Sequence, residues 1–153
     1  MSDTSQTLRK GGFTWVVVAD ACRADFYTRQ TRRGQLEVVQ SLAEPRARDK
    51  EQDLVADAPG RAFDSGGQGR HAMEPDHTAK QHLREAFAQR VAAALEDGRQ
   101  AGHYKQLIIV AAPAMLGDLR PRLSDATSKL VTAEFSKDLA GHDPAEITAL
   151  IDA

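Results

Sequence analysis

Two apolar runs separated by one long helical pattern constrain the fold of this chain more than any other feature. The first run spans residues 13–20 and the second spans residues 106–112, and each has the length and branched side chains of a buried strand. Between them, an apolar residue recurs every fourth position, which predicts an amphipathic helix. This stripe consists of Leu83, Phe87, Val91 and Leu95. A helix between two strands implies a crossover connection, so a sheet that also contains hairpins is predicted to be mixed.

Shorter patterns complete the predicted order of elements. Residues 25–30 and 35–42 are β-rich and predict an antiparallel meander with the first strand. Pro113 opens a short helix, residues 129–137 alternate as a strand, and Asp143 opens a final helix. The predicted fold class is therefore α/β, in the order β-β-β-α-β-α-β-α around a mixed sheet of about five strands. This order is the ribonuclease-H-like arrangement.

A long segment without periodicity separates the third strand from the first helix. It spans residues 43–75, and the helix is predicted to begin at Pro75 and Asp76, with Asp76 as its cap. An unstructured segment of this length inside a compact domain is uncommon, and such segments are usually functional or mobile. We therefore expect it to contain residues that matter for function.

Composition limits the function classes. The 153 residues predict one domain over 13–153, preceded by a flexible tail over 1–12. A formal net charge of -2 gives no whole-chain attraction for nucleic acid or anionic membranes, so any such contact needs a local patch. No apolar run is long enough to span a bilayer, and no membrane partner is expected. The single cysteine, Cys22, excludes an intrachain disulfide and favours the cytoplasm.

The segment over residues 60–76 is rich in glycine and contains Gly66-Gly67-Gln68, followed by Arg70 and His71. Glycine backbone can approach a ligand closely because no Cβ blocks it. Function is common in such loops, particularly before a helix. A flexible surface loop is the alternative interpretation, and the residues alone leave both open.

Motifs along most of the chain resemble the bacterial host attachment protein family, described as proteins required for attachment to host cells. The resemblance lies in residues 15–24, 60–66, 70–75, 107–117 and 137–139. The family name states a phenotype and no chemical activity.

That family in turn is similar to the middle domain of archaeal and eukaryotic class-one translation release factors. The resemblance implies that Gly66, Gly67 and Gln68 form a catalytic loop, in which the glutamine main-chain amide stabilises an oxyanion during hydrolysis of peptidyl-tRNA. It also implies the ribosome or tRNA as partner. Release factors flank this tripeptide with basic residues on both sides, whereas Asp64 and Ser65 precede it here.

Arginines near the first hairpin and the glycine-rich segment suggest a phosphate-binding surface. Guanidinium groups bind phosphate through paired hydrogen bonds, and RNA binding is dominated by such contacts. If the segment folds over the hairpin, one basic patch is predicted; scattered, balanced surface charge is the alternative. The patch would contain Arg23, Arg29, Arg32, Arg33, Arg61 and Arg70, and His71 follows in the sequence.

A metal-dependent nuclease would need several carboxylates around a divalent ion. Asp20 and Asp138 follow predicted strands, and Asp118 is a weaker third candidate, but carboxylates at strand ends also form turns. His77 and His82 are five residues apart and do not share a helix face. No metal and no cofactor are expected.

The sequence therefore predicts a cytoplasmic binding or accessory domain that contacts RNA or the ribosome through Arg23, Arg61, Arg70 and His71. Hydrolysis of peptidyl-tRNA through Gly66-Gly67-Gln68 is the alternative. Direct adhesion is a third hypothesis, and the sequence shows no secretion signal to support it. The sequence does not determine the oligomeric state.

Overall fold

A computed structural model describes the backbone of residues 13–46 and 68–153, with side chains over 13–46 and 78–153. The five strands are β1 (Thr14–Ala19), β2 (Arg23–Arg29), β3 (Glu37–Ala43), β4 (Gln106–Ala111) and β5 (Val131–Ser136). The helices given bounds in the described residues are α1 (Gln68–Gln100), α2 (Pro113–Leu119), α3 (Asp125–Ser128) and α4 (Pro144–Ile151), and a 3-10 turn covers Arg120–Arg122. The predicted α/β class is confirmed.

The five strands form one mixed sheet in the order β3-β2-β1-β4-β5. β1 pairs antiparallel with β2, and β2 pairs antiparallel with β3, as the meander predicts. β4 lies parallel to β1, and β5 lies parallel to β4. The mixed sheet of five strands is therefore confirmed, as is the crossover, which runs through α1 from β3 to β4.

β1 is buried along its whole length because both faces of the sheet are covered. Alternate side chains point to opposite faces of a strand. Trp15 and Val17 pack on the side of α1, together with its Phe87 and Leu95. Val16 and Val18 belong to the other apolar cluster, with Ile147 of α4. The two helices thus cover opposite faces of the same strand.

The aromatic side chain of Trp15 joins the start of β1 to the end of α1. Its ring stacks on Tyr104 with centroids 4.9 Å apart, and the Tyr104 hydroxyl donates to the Leu95 carbonyl at 2.6 Å. Gly98 lies directly over the Trp15 ring. α1 ends at Gln100, and Gly102 follows with φ 77°, a left-handed conformation that glycine commonly adopts just after a helix.

Two predicted boundaries are wrong. α1 begins at Gln68, so Pro75 and Asp76 lie inside the helix rather than at its start, although proline removes one backbone donor there. The long segment between β3 and α1 is shorter than predicted for the same reason. β2 begins at Arg23, two residues before the predicted start of this strand at residue 25.

α3 is absent from the predicted order, and its polar contacts explain its position. Ser124 caps the helix by accepting the Thr127 main-chain N–H at 3.1 Å. The hydroxyls of Ser124 and Thr127 donate to Glu96 of α1 at 2.7 and 2.9 Å, and Arg99 pairs with the same carboxylate. The Arg99 hydrogen bond, with these hydroxyls, lowers the pKa of Glu96 to about 2. Side-chain pairing therefore fixes an element that is too short for a periodic signal.

No helix in the described ranges is both long enough and apolar enough to cross a membrane.

Gly98→Ala tests the packing of α1 on β1. Alanine normally stabilises a helix interior relative to glycine by about 1 kcal/mol. A Cβ at residue 98, however, would lie 2.6 Å from Trp15 Cη2. We expect the steric overlap with Trp15 to outweigh the gain in helix propensity. The variant should therefore have a free energy of unfolding lower by about 1–3 kcal/mol, measured by urea denaturation.

Gly117→Ala in α2 is the matched control, because a Cβ there has no neighbour within 4 Å. This variant should be more stable than wild type by about 0.5–1 kcal/mol. Equal stabilisation by the two substitutions would contradict the proposed contact between Gly98 and Trp15.

Candidate functional site

The carboxyl end of β1 is closed by a tight turn built on Asp20. Its Oδ1 accepts the main-chain N–H groups of Cys22 and Arg23, each at 2.8 Å, and its own N–H donates to the Arg23 carbonyl at 2.9 Å. Aspartate commonly forms such turns by bonding backbone two residues on. The turn reverses the chain so that β2 begins at Arg23, beside the end of β1.

Arg23 lies over a buried carboxylate on the same strand. Asp25 is 4% exposed, and its Oδ2 is 3.0 Å from Arg23 Nη2. The register between β2 and β3 places Ser41 opposite Asp25, and the Ser41 hydroxyl donates to Oδ1 at 2.7 Å. Both Asp25 oxygens therefore have donors. A Cβ at Gly141 would lie 3.3 Å from Arg23 Nη1, so the backbone before α4 approaches the guanidinium closely.

A second buried carboxylate, Glu44, follows β3. Arg46 donates to it from Nε at 3.0 Å and from Nη2 at 3.1 Å. Arg90 of α1 lies 3.9 Å away and also donates to the Ala43 carbonyl at 3.2 Å. The hydrogen bond from the Arg46 side chain, despite burial, holds the pKa of Glu44 below 4.5. Glu44 thus holds two guanidinium groups from different elements.

Arg23, Asp25, Ser41 and Glu44 line a cleft of about 370 Å³ at the carboxyl edge of the sheet, and Arg46 and Arg90 contact Glu44 beside it. We call Arg23, Arg46 and Arg90, with Asp25 and Glu44, the carboxyl-edge array. The three arginine side chains are 44%, 72% and 49% exposed, whereas the two carboxylate side chains are each 6% exposed. The array therefore presents cations to solvent and keeps their counter-charges behind them. Such a surface can bind an anion through guanidinium hydrogen bonds.

The structure does not bring the proposed nuclease carboxylates together. Within residues 13–46 and 78–153, no three His, Cys, Asp or Glu side chains converge closely enough to hold a metal ion. Asp20 serves the turn after β1, and Asp118 pairs with Arg84 of α1. Asp138 is exposed after β5. In the described part of the chain, these three carboxylates therefore do not form a metal centre.

Most of the predicted site residues fall outside the described side chains. Arg61, Gly66 and Gly67 lie outside the described residues. Gln68 is the first residue of α1, so its placement in a loop before the helix is wrong. Arg70 and His71 lie in the same helix. Of the four residues predicted to contact RNA, the structure describes the side chain of Arg23 and not those of Arg61, Arg70 and His71.

The single basic patch is divided by β2. Arg23 begins this strand and Arg29 ends it, and six residues of extended chain span about 20 Å. Arg32 and Arg33 lie just beyond Arg29, at the opposite edge of the sheet from the carboxyl-edge array. The hairpin arginines therefore form two separate surfaces.

Sequence reasoning missed Glu44, Arg46 and Arg90. The charged residues after β3 carry no periodic pattern, and Arg90 lies outside the apolar stripe of α1. The nearest signal is Glu44 two residues before Arg46, directly after a predicted strand. The contribution of Arg90 depends on how α1 crosses the end of β3, which no local pattern reveals.

The model of one protein family, described as "Protein required for attachment to host cells", matches residues 15–151. The chain belongs to this host attachment family. The match includes all of the described sheet except Thr14, together with the four described helices, and it confirms the family resemblance of the sequence motifs.

A curated relative of this host attachment protein is an uncharacterized protein of Rickettsia prowazekii (strain Madrid E). The two are 50% identical over 40 residues, which cover 26% of this chain and 27% of the relative. The aligned part thus spans about a quarter of each protein. The similarity supports no transfer of a ligand.

Glu44→Gln tests the electrostatic role of Glu44 in the array. Because the folded-state pKa of Glu44 is lowered, its ionised form stabilises the fold above pH 4.5, and this stabilisation is lost as pH falls further. Wild type should therefore exceed the variant in free energy of unfolding at pH 7, with a gap that narrows below pH 4.5. Urea denaturation across this pH range measures the gap.

Glu37→Gln, at an exposed position on β3, is the control and should show a smaller pH-dependent gap. A Glu44→Gln gap that stays constant between neutral pH and acid would contradict the role assigned to the carboxylate.

Proposed function

We propose that this host attachment family protein is a cytoplasmic binding or accessory domain that contacts RNA phosphates through the carboxyl-edge array. The ribosome or a tRNA is the proposed partner. The observation that carries the proposal is the separation of charge in the array, with exposed guanidinium groups over buried carboxylates. The single cysteine supports the cytoplasmic assignment.

The buried carboxylates suit a binding role better than a role as catalytic bases. Asp25 and Glu44 already accept hydrogen bonds from Arg23, Ser41 and Arg46. A carboxylate engaged in this way orients its cation and lowers the entropy that the cation loses on binding a phosphate. Since the chain carries a net charge of -2, binding must depend on this local surface and fall steeply with salt.

We propose the ribonuclease-H-like fold for the domain, supported by the strand order β3-β2-β1-β4-β5 with an antiparallel β2. We also propose that it corresponds to the release-factor middle domain. The support is the order of elements: Gly66-Gly67-Gln68 leads into a long helix, and the buried strand β4 follows.

Arg46→Gln with Arg90→Gln tests the RNA contact. The double variant should cosediment with ribosomes less than wild type at low salt. Its affinity for single-stranded RNA should fall, and the slope of log K against log salt should decrease by about 1.4, or about 0.7 for each lost phosphate contact. Fluorescence anisotropy over a salt series measures this slope.

Two further variants make the test specific. Arg46→Lys with Arg90→Lys keeps the charge, so it should restore most of the salt slope even where paired hydrogen bonds are lost. Arg120→Gln removes an equally exposed arginine that pairs with Glu134 of β5, and it should leave RNA binding unchanged. Equal RNA binding by wild type and the Arg46/Arg90 glutamine variant would refute the proposal.

Hydrolysis of peptidyl-tRNA is the second candidate, and the start of α1 favours it. The first four N–H groups of a helix have no acceptor within the helix, and Gln68 is the first residue of α1. We propose that its main-chain N–H donates to an oxyanion, as the release-factor resemblance implies.

The hydrolase proposal predicts that wild type releases a labelled peptide from ribosome-bound peptidyl-tRNA. Gly67→Ala should reduce the rate by about 100-fold or more, because it restricts the backbone that positions the amide donor. Gln68→Ala should reduce the rate less, since the main-chain donor remains. Equal rates for all three proteins would exclude this tripeptide as a catalytic element.

A further inference from the structure

A second cleft, of about 480 Å³, lies at the amino edge of the sheet, where β2 ends and β1 and β4 begin. Three of its residues are arginines: Arg29 at the end of β2, and Arg32 and Arg33 in the following turn. Asp152 after α4 is the acidic side chain among its lining residues. We call this the amino-edge cleft. Three guanidinium groups against one aspartate give it an excess of positive charge.

Arg29 is built into the floor of this cleft. Its side chain is 6% exposed, and its Nη1 lies 3.0 Å from each Asp152 oxygen. The Nε–H of the same guanidinium is buried and has no hydrogen-bond partner among the residues that the structure describes. A buried donor without an acceptor is costly, and such groups call for an explanation such as a bound ligand. An anion in the cleft would supply the acceptor after a small shift of the guanidinium.

The turn after β2 places two more guanidinium groups beside Arg29. The Gly34 N–H donates to the Thr31 carbonyl at 2.9 Å and closes the turn, and Arg33 has φ 63°. A left-handed conformation is uncommon for arginine, and backbone strain of this kind clusters at functional positions. The turn thus holds an exposed arginine pair at the mouth of the cleft, where glycine or asparagine would fit the backbone better.

The remaining lining residues indicate the rest of the ligand. Ile108, Ala133 and Ile151 form an apolar wall, and Gln106 and Thr132 contribute polar groups. A cleft of several hundred Å³ with convergent charged groups and an apolar wall is typical of small-molecule sites. The ligand that matches both parts has a dianionic phosphate for the arginines and a flat or apolar portion for the wall.

We propose that the amino-edge cleft binds a phosphate monoester of nucleotide size. The phosphate accepts hydrogen bonds from Arg29, Arg32 and Arg33, and the base or an equivalent ring lies against Ile108 and Ile151. Asp152 holds Arg29 in position and weakens anion binding by its own charge. This site is separate from the carboxyl-edge array, and its ligand is a small molecule rather than a nucleic acid chain.

Calorimetry with three probes tests the ligand chemistry on the full chain. AMP should bind, inorganic phosphate should bind more weakly because it lacks the ring, and adenosine should bind least because it lacks the charge. Arg32→Gln with Arg33→Asn should weaken AMP by about tenfold or more, since two charge-assisted contacts are lost. Asparagine tolerates the backbone conformation at residue 33, so this variant should keep its fold.

Asp152→Asn separates a binding site from a merely structural ion pair. Removal of the negative charge should raise the affinity for AMP severalfold even if the variant melts at a lower temperature. A structural pair alone would lower stability without raising affinity. Arg120→Gln, beside the outer strand β5, should change neither the affinity for AMP nor the melting temperature.

The proposal is overturned if AMP and phosphate show no binding up to about 10 mM, or if Arg32→Gln/Arg33→Asn binds AMP as wild type does. Tighter binding of an RNA oligonucleotide than of AMP, lost in that same variant, would also overturn it in favour of a nucleic acid surface. Arg46→Gln/Arg90→Gln should leave AMP affinity unchanged, which keeps this test independent of the proposed RNA contact.

Discussion

The burial of β1 on both faces is the constraint on which the rest of the structure depends. α1 covers Trp15 and Val17 on one face, while α4 contributes to the cluster around Val16 and Val18 on the other. Because β1 is the central strand, it sets the register of β2 on one side and of β4 on the other. The two candidate sites lie at opposite ends of these strands, so the geometry of each site follows from the packing of β1.

β2 connects the two sites and keeps them apart. It begins with Arg23 in the carboxyl-edge array and ends with Arg29 in the amino-edge cleft. In each place, a carboxylate holds a guanidinium: Asp25, 6% exposed, holds Arg23, and the half-buried Asp152 holds Arg29. Removing one partner of a buried ion pair is strongly destabilising, so stability and anion recognition are coupled most closely at Arg29, whose side chain is 6% exposed.

The elements with a periodic apolar pattern could be predicted from the sequence. An element that is held in place by side-chain contacts with another helix, such as α3, could not. Apolar spacing predicts β1, β4 and the body of α1 because burial on one or two faces leaves a regular pattern. The start of α1 could not be placed, because Pro75 suits a first turn better than a helix interior. α3 has four residues and depends on Glu96 from another helix, so its local sequence has no periodic signal.

The sequence predicts a site residue only where the position of that residue depends on a single strand or helix. Arg23 follows directly from its position after β1, but Glu44 and Arg90 meet through tertiary packing across 46 positions of the chain. Among its described members, the predicted single basic patch does not form, because Arg23 and Arg29 are close in sequence but lie at opposite ends of an extended strand.

The central claim is that RNA meets this protein at the carboxyl-edge array. Photo-crosslinking of bound RNA, followed by mass spectrometry of the modified peptides, locates the contact directly. The account predicts crosslinks in the peptides around Arg23, Arg46 and Arg90, which belong to β2, to the chain just after β3 and to α1. Crosslinks confined to the opposite side of the sheet, around Arg120 and β5, would contradict it.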